Sequence, residues 1–152
     1  MRLMELQFTA TVPFDWVKQS SDHHRAVFES RDATYFVDFY VGNWDGLKLW
    51  MFQFGMHQTD KNASTMAMTK RNDAYNVLST VKAVFDDFYQ QVHPKALGFY
   101  DGDRKPSRMK MYDKFAHYIA DRYGYVFDQA RMAKSQRTIG GSGTSIWLLT
   151  RE

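Results

Sequence analysis

The sequence predicts an α+β fold, with a mixed, mainly antiparallel sheet, one β-α-β crossover and two main helices covering the sheet. Two observations lead to this prediction. In residues 4–12 apolar and polar side chains alternate, and residues 34–41 and 47–56 place apolar side chains on one face at every second position, as in strands. Residues 72–91 instead repeat apolar side chains at intervals of three and four, as on one face of a helix. We therefore expect the order β-β-β-β-α-β-α-β-β within a single domain, residues 1–152.

The strands of the first part of the chain are predicted at Met4–Val12, Ala26–Ser30, Thr34–Val41 and Leu47–Met56. The polar residues 15–25 between the first two are expected to be irregular. Gly42–Gly46 predicts a hairpin connection, because its glycine, asparagine and aspartate residues tolerate a positive φ. The last of the four strands is apolar on both faces, so helices are expected to pack on either side of it.

Two helices are predicted in the second part. The first, Asn72–Gln91, has Asn72 or Asp73 as its N-cap and is stopped by His93-Pro94. The second, Pro106–Tyr123, begins with a proline suited to the first helical position and precedes Gly124, a favourable C′ residue. The remaining strands are predicted at Lys95–Tyr100, Tyr125–Met132 and Ser145–Thr150.

The composition excludes some classes of protein and gives little support to others. The chain has no cysteine, which rules out disulfides, thiolate metal sites and cysteine nucleophiles. A net charge of +3 falls short of the clustered charge that marks a nucleic-acid binder. There is no signal-peptide pattern at the start and no apolar window of about 18 residues, so we expect a cytoplasmic protein with no membrane partner.

A metal site is not expected either. The histidines form no HxH or HExxH pattern. His23 and His24 are adjacent, and neighbouring side chains on an extended chain point in opposite directions, which is poor geometry for joint ligation.

The second predicted helix contains a short motif, Met111-Tyr112-Asp113-Lys114, and is followed by Gly124-Tyr125. Together with the strand–helix–strand–helix order of residues 47–125, the motif resembles the GNAT (Gcn5-related N-acetyltransferase) family, with the family's first helices reduced or missing. That family has a pattern close to N-x-x-A-x-x-L-Y-E-K in this helix and G-F after it. In the residue pattern around its two predicted helices, the chain is also similar to small uncharacterised GNAT-like proteins of tailed bacteriophages. This similarity would place it in the host cytoplasm or the virion.

The resemblance implies an acyl-CoA-dependent N-acetyltransferase that uses acetyl-CoA, and the similarity to phage proteins suggests that a phage encodes it. In the family, a glycine-rich turn and the N-terminus of the following helix hold the pyrophosphate of the cofactor. The equivalent residues here are Lys70, Arg71, Asn72, Asp73 and Ala74, and no glycine stands among them. Lys70 and Arg71 can supply positive charge instead, and the helix N-terminus supplies unpaired N–H groups. Arg108, in a basic cluster with Lys110 and Lys114, is placed to meet the 3′-phosphate.

The resemblance also suggests catalytic residues. By position Tyr112 is the acid that protonates the leaving thiolate, although it shares an apolar stripe with Ile119 and can equally be read as a core aromatic. His57 is the predicted general base, because it ends an apolar strand and titrates in a suitable range. Asp38 and Glu29 on neighbouring strands are alternatives.

Two other functions remain open from the residues. The first is a catalytically inactive GNAT-fold phage protein that acts as a virion component or binds a host protein through an aromatic surface, with Trp44 as an exposed anchor. The second is a nucleic-acid binder that uses the basic cluster at 104–114. The sequence does not specify the acyl acceptor or the oligomeric state.

Overall fold

A computed structural model describes residues 11–30, 33–57, 74–100, 106–139 and 146–151. Its strands are β1 (Phe14–Gln19), β2 (His23–Ser30), β3 (Ala33–Trp44), β4 (Leu47–His57), β5 (Ala96–Tyr100), β6 (Val126–Phe127) and β7 (Ile146–Thr150). Its helices are α1 (Ala74–Val92), α2 (Pro106–Tyr123) and α3 (Gln129–Ile139). Except for Thr11 and Val12, which precede β1, the predicted strand Met4–Val12 lies outside the described residues.

The strands form one seven-stranded sheet in the order β1-β2-β3-β4-β5-β7-β6. Strand β1 pairs with β2, and β7 pairs with both β5 and β6, all in antiparallel orientation. Strands β4 and β5 are parallel, with Met51 opposite Gly98. The predicted α+β class, the mainly antiparallel sheet and the parallel pair created by the crossover are therefore confirmed.

The chain divides into two compact units. The first comprises Met1–Phe39 and Gln53–His93, and the second comprises Tyr40–Phe52 and Pro94–Glu152. Strands β3 and β4 are long enough to contribute residues to both.

The core of the first unit is aromatic. One face of its strands, including Ala26, Phe28 and Phe39, is buried, as are the residues of α1 that repeat at helical spacing. Phe39 stacks on Phe88 of α1 with ring centroids 3.9 Å apart. Helix α1 ends as predicted, because His93 has φ +49° and donates its N–H to the carbonyl of Tyr89 just before Pro94.

Polar contacts tie the edge strand β1 to α1. The indole N–H of Trp16 donates to Asp87 over 2.7 Å, and the amide of Gln19 donates to that of Gln91. Between Trp16 and Lys18 the pairing with β2 shifts by a β-bulge. Val17 sits in this bulge with 57% of its surface exposed.

The prediction that residues 15–25 are irregular is wrong, because β1 and the start of β2 occupy this segment. The bulge breaks the two-residue period in the middle of β1. In β2 the buried His24, Ala26 and Phe28 alternate with polar or half-exposed residues, so the inward-facing positions start with a histidine rather than with an apolar side chain.

In the second unit, β7 has a helix on each face. Trp147 contacts Tyr112 of α2, with ring centroids 5.6 Å apart. The alternate residues Ile146 and Leu148 belong to a separate apolar cluster that also packs against Met132 of α3. Helix α2 has the predicted bounds, and Gly124 ends it with φ +74° and an N–H donated to the carbonyl of Ala120.

The hairpin predicted at Gly42–Gly46 is confirmed and is tighter than predicted. Only Asp45 and Gly46 form the turn, with φ 51° and 78°, so both central residues are left-handed as a two-residue hairpin requires. Trp44 is the last residue of β3 and not part of an open loop. Its indole N–H donates to Ser135 of α3, and its ring lies 5.7 Å from that of Tyr100.

The predicted strand Tyr125–Met132 is mostly wrong. Strand β6 has two residues, and α3 begins at Gln129, so the described residues contain three helices and not the two predicted. Asp128 is the N-cap, since its carboxylate accepts the backbone N–H of Arg131 at 3.0 Å. Burial alone would raise the pKa of Asp128, but the hydrogen bonds and charge of Arg131 outweigh it and lower the pKa below its usual range.

We expect Asp128→Ala to lower the free energy of unfolding by about 1–2 kcal/mol, because the first turn of α3 loses its cap. Urea denaturation at pH 7 measures this change. Because the folded-state pKa is depressed, the contribution of Asp128 is present above the pKa of the unfolded state and is lost as the pH falls toward the folded-state value. The deficit of the variant should therefore shrink in acid, whereas the exposed Asp121→Ala should show no comparable deficit at pH 7.

Candidate functional site

The motif Met111–Lys114 has a clear structural role in the second unit. Asp113 accepts the indole N–H of Trp147 at 3.0 Å, which fixes α2 against β7. His117, one turn later, lies with its Nδ1 3.6 Å from the same carboxylate. Lys114 is exposed. The acidic position of the motif therefore serves to dock the helix.

Tyr112, the predicted acid for the leaving thiolate, is 1% exposed. Its ring lies 5.8 Å from Phe99 and 5.6 Å from Trp147, measured between centroids. These contacts agree with the interpretation of Tyr112 as a core aromatic. They do not test its catalytic role, which stays a prediction.

Gly124-Tyr125 is the counterpart of the family's G-F, and the contacts of Tyr125 are also structural. Tyr125 is 4% exposed, and its hydroxyl donates to the backbone carbonyl of Pro94. Burial raises the pKa of this phenol, so the hydroxyl remains a hydrogen-bond donor throughout the physiological range. The guanidinium of Arg151 lies over its ring at 5.6 Å.

Most of the predicted cofactor-binding residues lie outside the part of the chain that the structure describes. Lys70, Arg71, Asn72 and Asp73 are outside the described residues. Ala74 is the first residue of α1, so the predicted cofactor segment leads directly into a helix N-terminus. Arg108 lies in the first turn of α2, and His57 is the last residue of β4, but the positions of their side chains are not described. All these assignments stay predictions.

A polar cluster on β2 and β3 of the first unit was not predicted. Asp38 is 7% exposed, and one of its carboxylate oxygens lies near two nitrogen atoms. His23 Nε2 lies 3.0 Å from Asp38 Oδ1, and Arg25 Nε lies 3.3 Å from it. The guanidinium of Arg25 also lies over the ring of Phe36, 4.6 Å from its centroid. A nearly buried carboxylate is thus balanced by one permanent cation and one histidine.

The adjacent His24 points the other way, as predicted for neighbouring residues of a strand. It is 8% exposed and lies edge-on between Trp16 and Phe88, at 5.8 Å and 5.4 Å between ring centroids. Burial lowers the pKa of His24, a hydrogen bond to the backbone of Ser20 opposes the shift, and the charge of His23 adds to it. His24 is therefore a neutral core residue at neutral pH.

A cleft of about 460 Å³ opens in the same unit, lined by Pro13, Asp15, Val27, Phe28, Glu29 and Thr34. Asp15 and Val27 are paired across β1 and β2, and Glu29 lies two residues further along β2, so these three share one face of the strands. His23 and Arg25 share that face by the same alternation. The two carboxylates give the cleft a negative charge.

Two other binding surfaces were predicted from the sequence, the basic cluster at 104–114 and Trp44. Lys110 and Lys114 are exposed on α2, which leaves the proposed nucleic-acid contact of the 104–114 cluster as a prediction. Trp44 is not the exposed anchor that the sequence predicted, because α3 packs against it.

No described helix has the length and apolar character needed to cross a membrane. Among the described side chains, no three histidine, aspartate or glutamate residues come together in a possible metal site.

Comparison with protein-family models, with curated proteins and with solved structures finds no match to this chain. A function is therefore proposed from the sequence pattern together with the geometry of the described residues.

Because the pKa of His24 is depressed in the folded state, folding is linked to the neutral form of this residue. The unfolding free energy is therefore unaffected by protonation of His24 above the unfolded-state pKa of about 6.5, and it decreases as the pH falls below that value. We expect His24→Gln to reduce the fall in unfolding free energy between pH 7.5 and 5.5, as measured by urea denaturation. The exposed His117→Gln should keep the wild-type fall; equal falls in all three proteins would contradict this account.

Proposed function

We propose that this chain is an acyl-CoA-dependent N-acetyltransferase of GNAT-like architecture, encoded by a tailed phage or a related source. The acyl donor is acetyl-CoA, and the acceptor is an amine. The observation that carries the proposal is the parallel pairing of β4 with β5, combined with the start of α1 directly after the segment Lys70–Asp73.

The parallel pairing of β4 with β5 constrains the path of the chain between these two strands. For β5 to run in the same direction as β4, the chain must return along α1, so the N-terminus of α1 follows the carboxyl end of β4 in the crossover. Ligands of such crossovers bind beyond the carboxyl ends of the strands, where helix N-terminal N–H groups are directed. The first turn of α1 contains no acidic residue, so the one carboxylate of the proposed segment is that of Asp73, just before the helix.

The basic pair Lys70 and Arg71 supports phosphate binding in place of the family's glycines. Glycines let the backbone approach a pyrophosphate closely, whereas lysine and arginine reach it with long, charged side chains. The proposed site therefore uses more side-chain charge and less backbone contact than the family's glycine-rich turn. Its affinity should consequently depend strongly on salt.

A second function is favoured by the burial of Tyr112. A residue packed between Phe99 and Trp147 at 1% exposure needs no catalytic role to explain its presence. In this alternative the chain keeps the GNAT-like scaffold without its chemistry and acts as a virion component or a host-protein-binding module. The two functions differ in whether acetyl-CoA binds and is turned over.

We expect acetyl-CoA at about 100 times its dissociation constant to stabilise the protein by about 2.7 kcal/mol, a rise in melting temperature of about 5–10 °C. Lys70→Ala plus Arg71→Ala should weaken binding at least tenfold in calorimetric titration, since two phosphate contacts are lost. Lys48→Ala plus Lys95→Ala removes the same charge from exposed positions and should leave affinity within about twofold. An unchanged melting temperature at millimolar acetyl-CoA would exclude the enzyme and leave the binding module.

Tyr112→Phe separates the two roles of the tyrosine. As the acid for the thiolate, Tyr112 accounts for a factor of about 10²–10⁴ in turnover, and the variant should lose it with acetyl-CoA affinity unchanged. As a core aromatic alone, Tyr112 can lose its hydroxyl with no change in turnover. The rate of thiol release decides between the two, and circular dichroism checks that the variant is folded.

A further inference from the structure

The strands of the first unit have two faces, and the one described helix of this unit, α1, packs against only one of them. On that face His24, Ala26 and Phe28 of β2 are buried, and His24 contacts Phe88 of α1. The alternate residues of β2 and their partners on β1 form the opposite face. We call this surface the charged face and define it by Asp15, Lys18, His23, Arg25, Val27 and Glu29.

The two ends of the charged face carry opposite charges. At one end Lys18 lies opposite Arg25 in the pairing of β1 with β2, and His23 is the next residue of β2 on the same face. At the other end Asp15 and Glu29 line the cleft of about 460 Å³. The charged face is therefore basic toward the start of β2 and acidic toward its end.

Lys18 is the cation at the basic end whose charge no described residue neutralises. Arg25 and His23 both lie near the same oxygen of Asp38, so the buried carboxylate offsets their charge. Lys18 is exposed, and none of the described residues forms an ion pair with it. Asp15 is exposed as well, so the face presents a cation and an anion to solvent a few residues apart on one strand.

A two-fold axis that runs across the strands at the level of Val27 makes the charged face complementary to itself. Val27 is half-exposed and lies midway between Arg25 and Glu29 on β2. Rotation about this axis turns one copy of the face onto another and reverses the direction of the strands, so the basic end of each copy lies against the acidic end of the other. Sheets that pack face to face lie about 10 Å apart, a gap that an extended lysine and a carboxylate side chain close together.

We propose that the charged face is an interface between two copies of this chain, in which Lys18 of each copy enters the acidic cleft of the other and pairs with Asp15 and Glu29. A second copy fits better than any other occupant, because the same face supplies both the acidic cleft and the cation that matches it. Val27 of the two copies meets at the axis and provides an apolar contact between the two sets of ion pairs. This interface is independent of the proposed acetyl transfer.

The size of the charged face sets the expected strength of the dimer. Neighbouring strands are about 4.8 Å apart, and the eight residues of β2 extend over about 26 Å. A patch of this size is smaller than the roughly 800 Å² per partner of a standard protein interface. We therefore expect a weak, reversible dimer. Because its charges lie at the surface, added salt should dissociate it.

The first test is a charge exchange measured by sedimentation velocity at about 200 µM protein and about 50 mM salt. We expect the wild type to form a dimer that weakens at least tenfold at about 500 mM salt. Lys18→Glu and Glu29→Lys should each weaken the dimer at least tenfold when studied alone. A 1:1 mixture of these two variants should form a heterodimer, because one of the two contacts then has its charges exchanged and the other is as in the wild type.

The controls for the charge exchange are Lys48→Glu and Asp121→Lys, which make the same charge changes at exposed positions outside the charged face. Both should form the dimer as the wild type does. Thermal denaturation checks that each variant is folded. A wild type that stays monomeric at about 500 µM in low salt would overturn the proposal. Failure of the mixture to associate, or a dimer that survives both single substitutions, would also overturn it.

The second test locates the axis, and it uses the absence of cysteine from the chain. Val27→Cys should be converted to a covalent dimer by a short bismaleimide, and the addition of Lys18→Glu to this variant should prevent the reaction. Val126→Cys, at a position of β6 that is 64% exposed, should give little covalent dimer under the same conditions. Equal crosslinking through both positions would show that the copies do not meet at Val27, which is contrary to the proposal.

Discussion

Strand β7 is buried on both of its faces, and the architecture of the second unit follows from this constraint. Ile146, Trp147, Leu148 and Leu149 are each at most 1% exposed. A strand of this kind leaves no face for solvent, so the chain must supply a covering element on each side. Helix α2 covers one face through Tyr112, and α3 covers the other through Met132. The neighbouring β5 contributes Gly98, where a Cβ atom would lie 2.9 Å from Met51 Sδ, so the packing against that face is close.

In the first unit, by contrast, the strands have one apolar face and one polar face, and this difference explains where the polar residues lie. Helix α1 takes up the aromatic face of the strands, and the face opposite carries charges. Burying Asp38 there is tolerable only because Arg25 and His23 are within reach of the same oxygen. A face that satisfies its charges in this way need not be covered by another helix.

The sequence predicted those elements whose signals are local. Pro106 and Gly124 mark the two ends of α2, and Asp45-Gly46 marks the hairpin, because each of these residues favours one backbone conformation. Helix α3 was missed because its inward face includes Ser135, whose burial depends on the indole of Trp44 some 90 residues earlier. Asp128 was the signal that could have revealed the helix, as an N-cap just before a run of good helix formers. The contact between His23 and Asp38 joins two strands, and nothing in the local pattern of either strand indicates it.

The bulge at Val17 has a consequence for how this protein can meet other chains. Strand β1 is at one edge of the described sheet, and an edge strand offers unpaired backbone groups onto which another chain can add a strand. The extra residue between Trp16 and Lys18 interrupts that row of groups and increases the local twist. An extended peptide cannot continue the ladder past such a point in register. A chain with 25 aromatic residues in 152 thereby carries a built-in barrier against fibre-like growth from this edge.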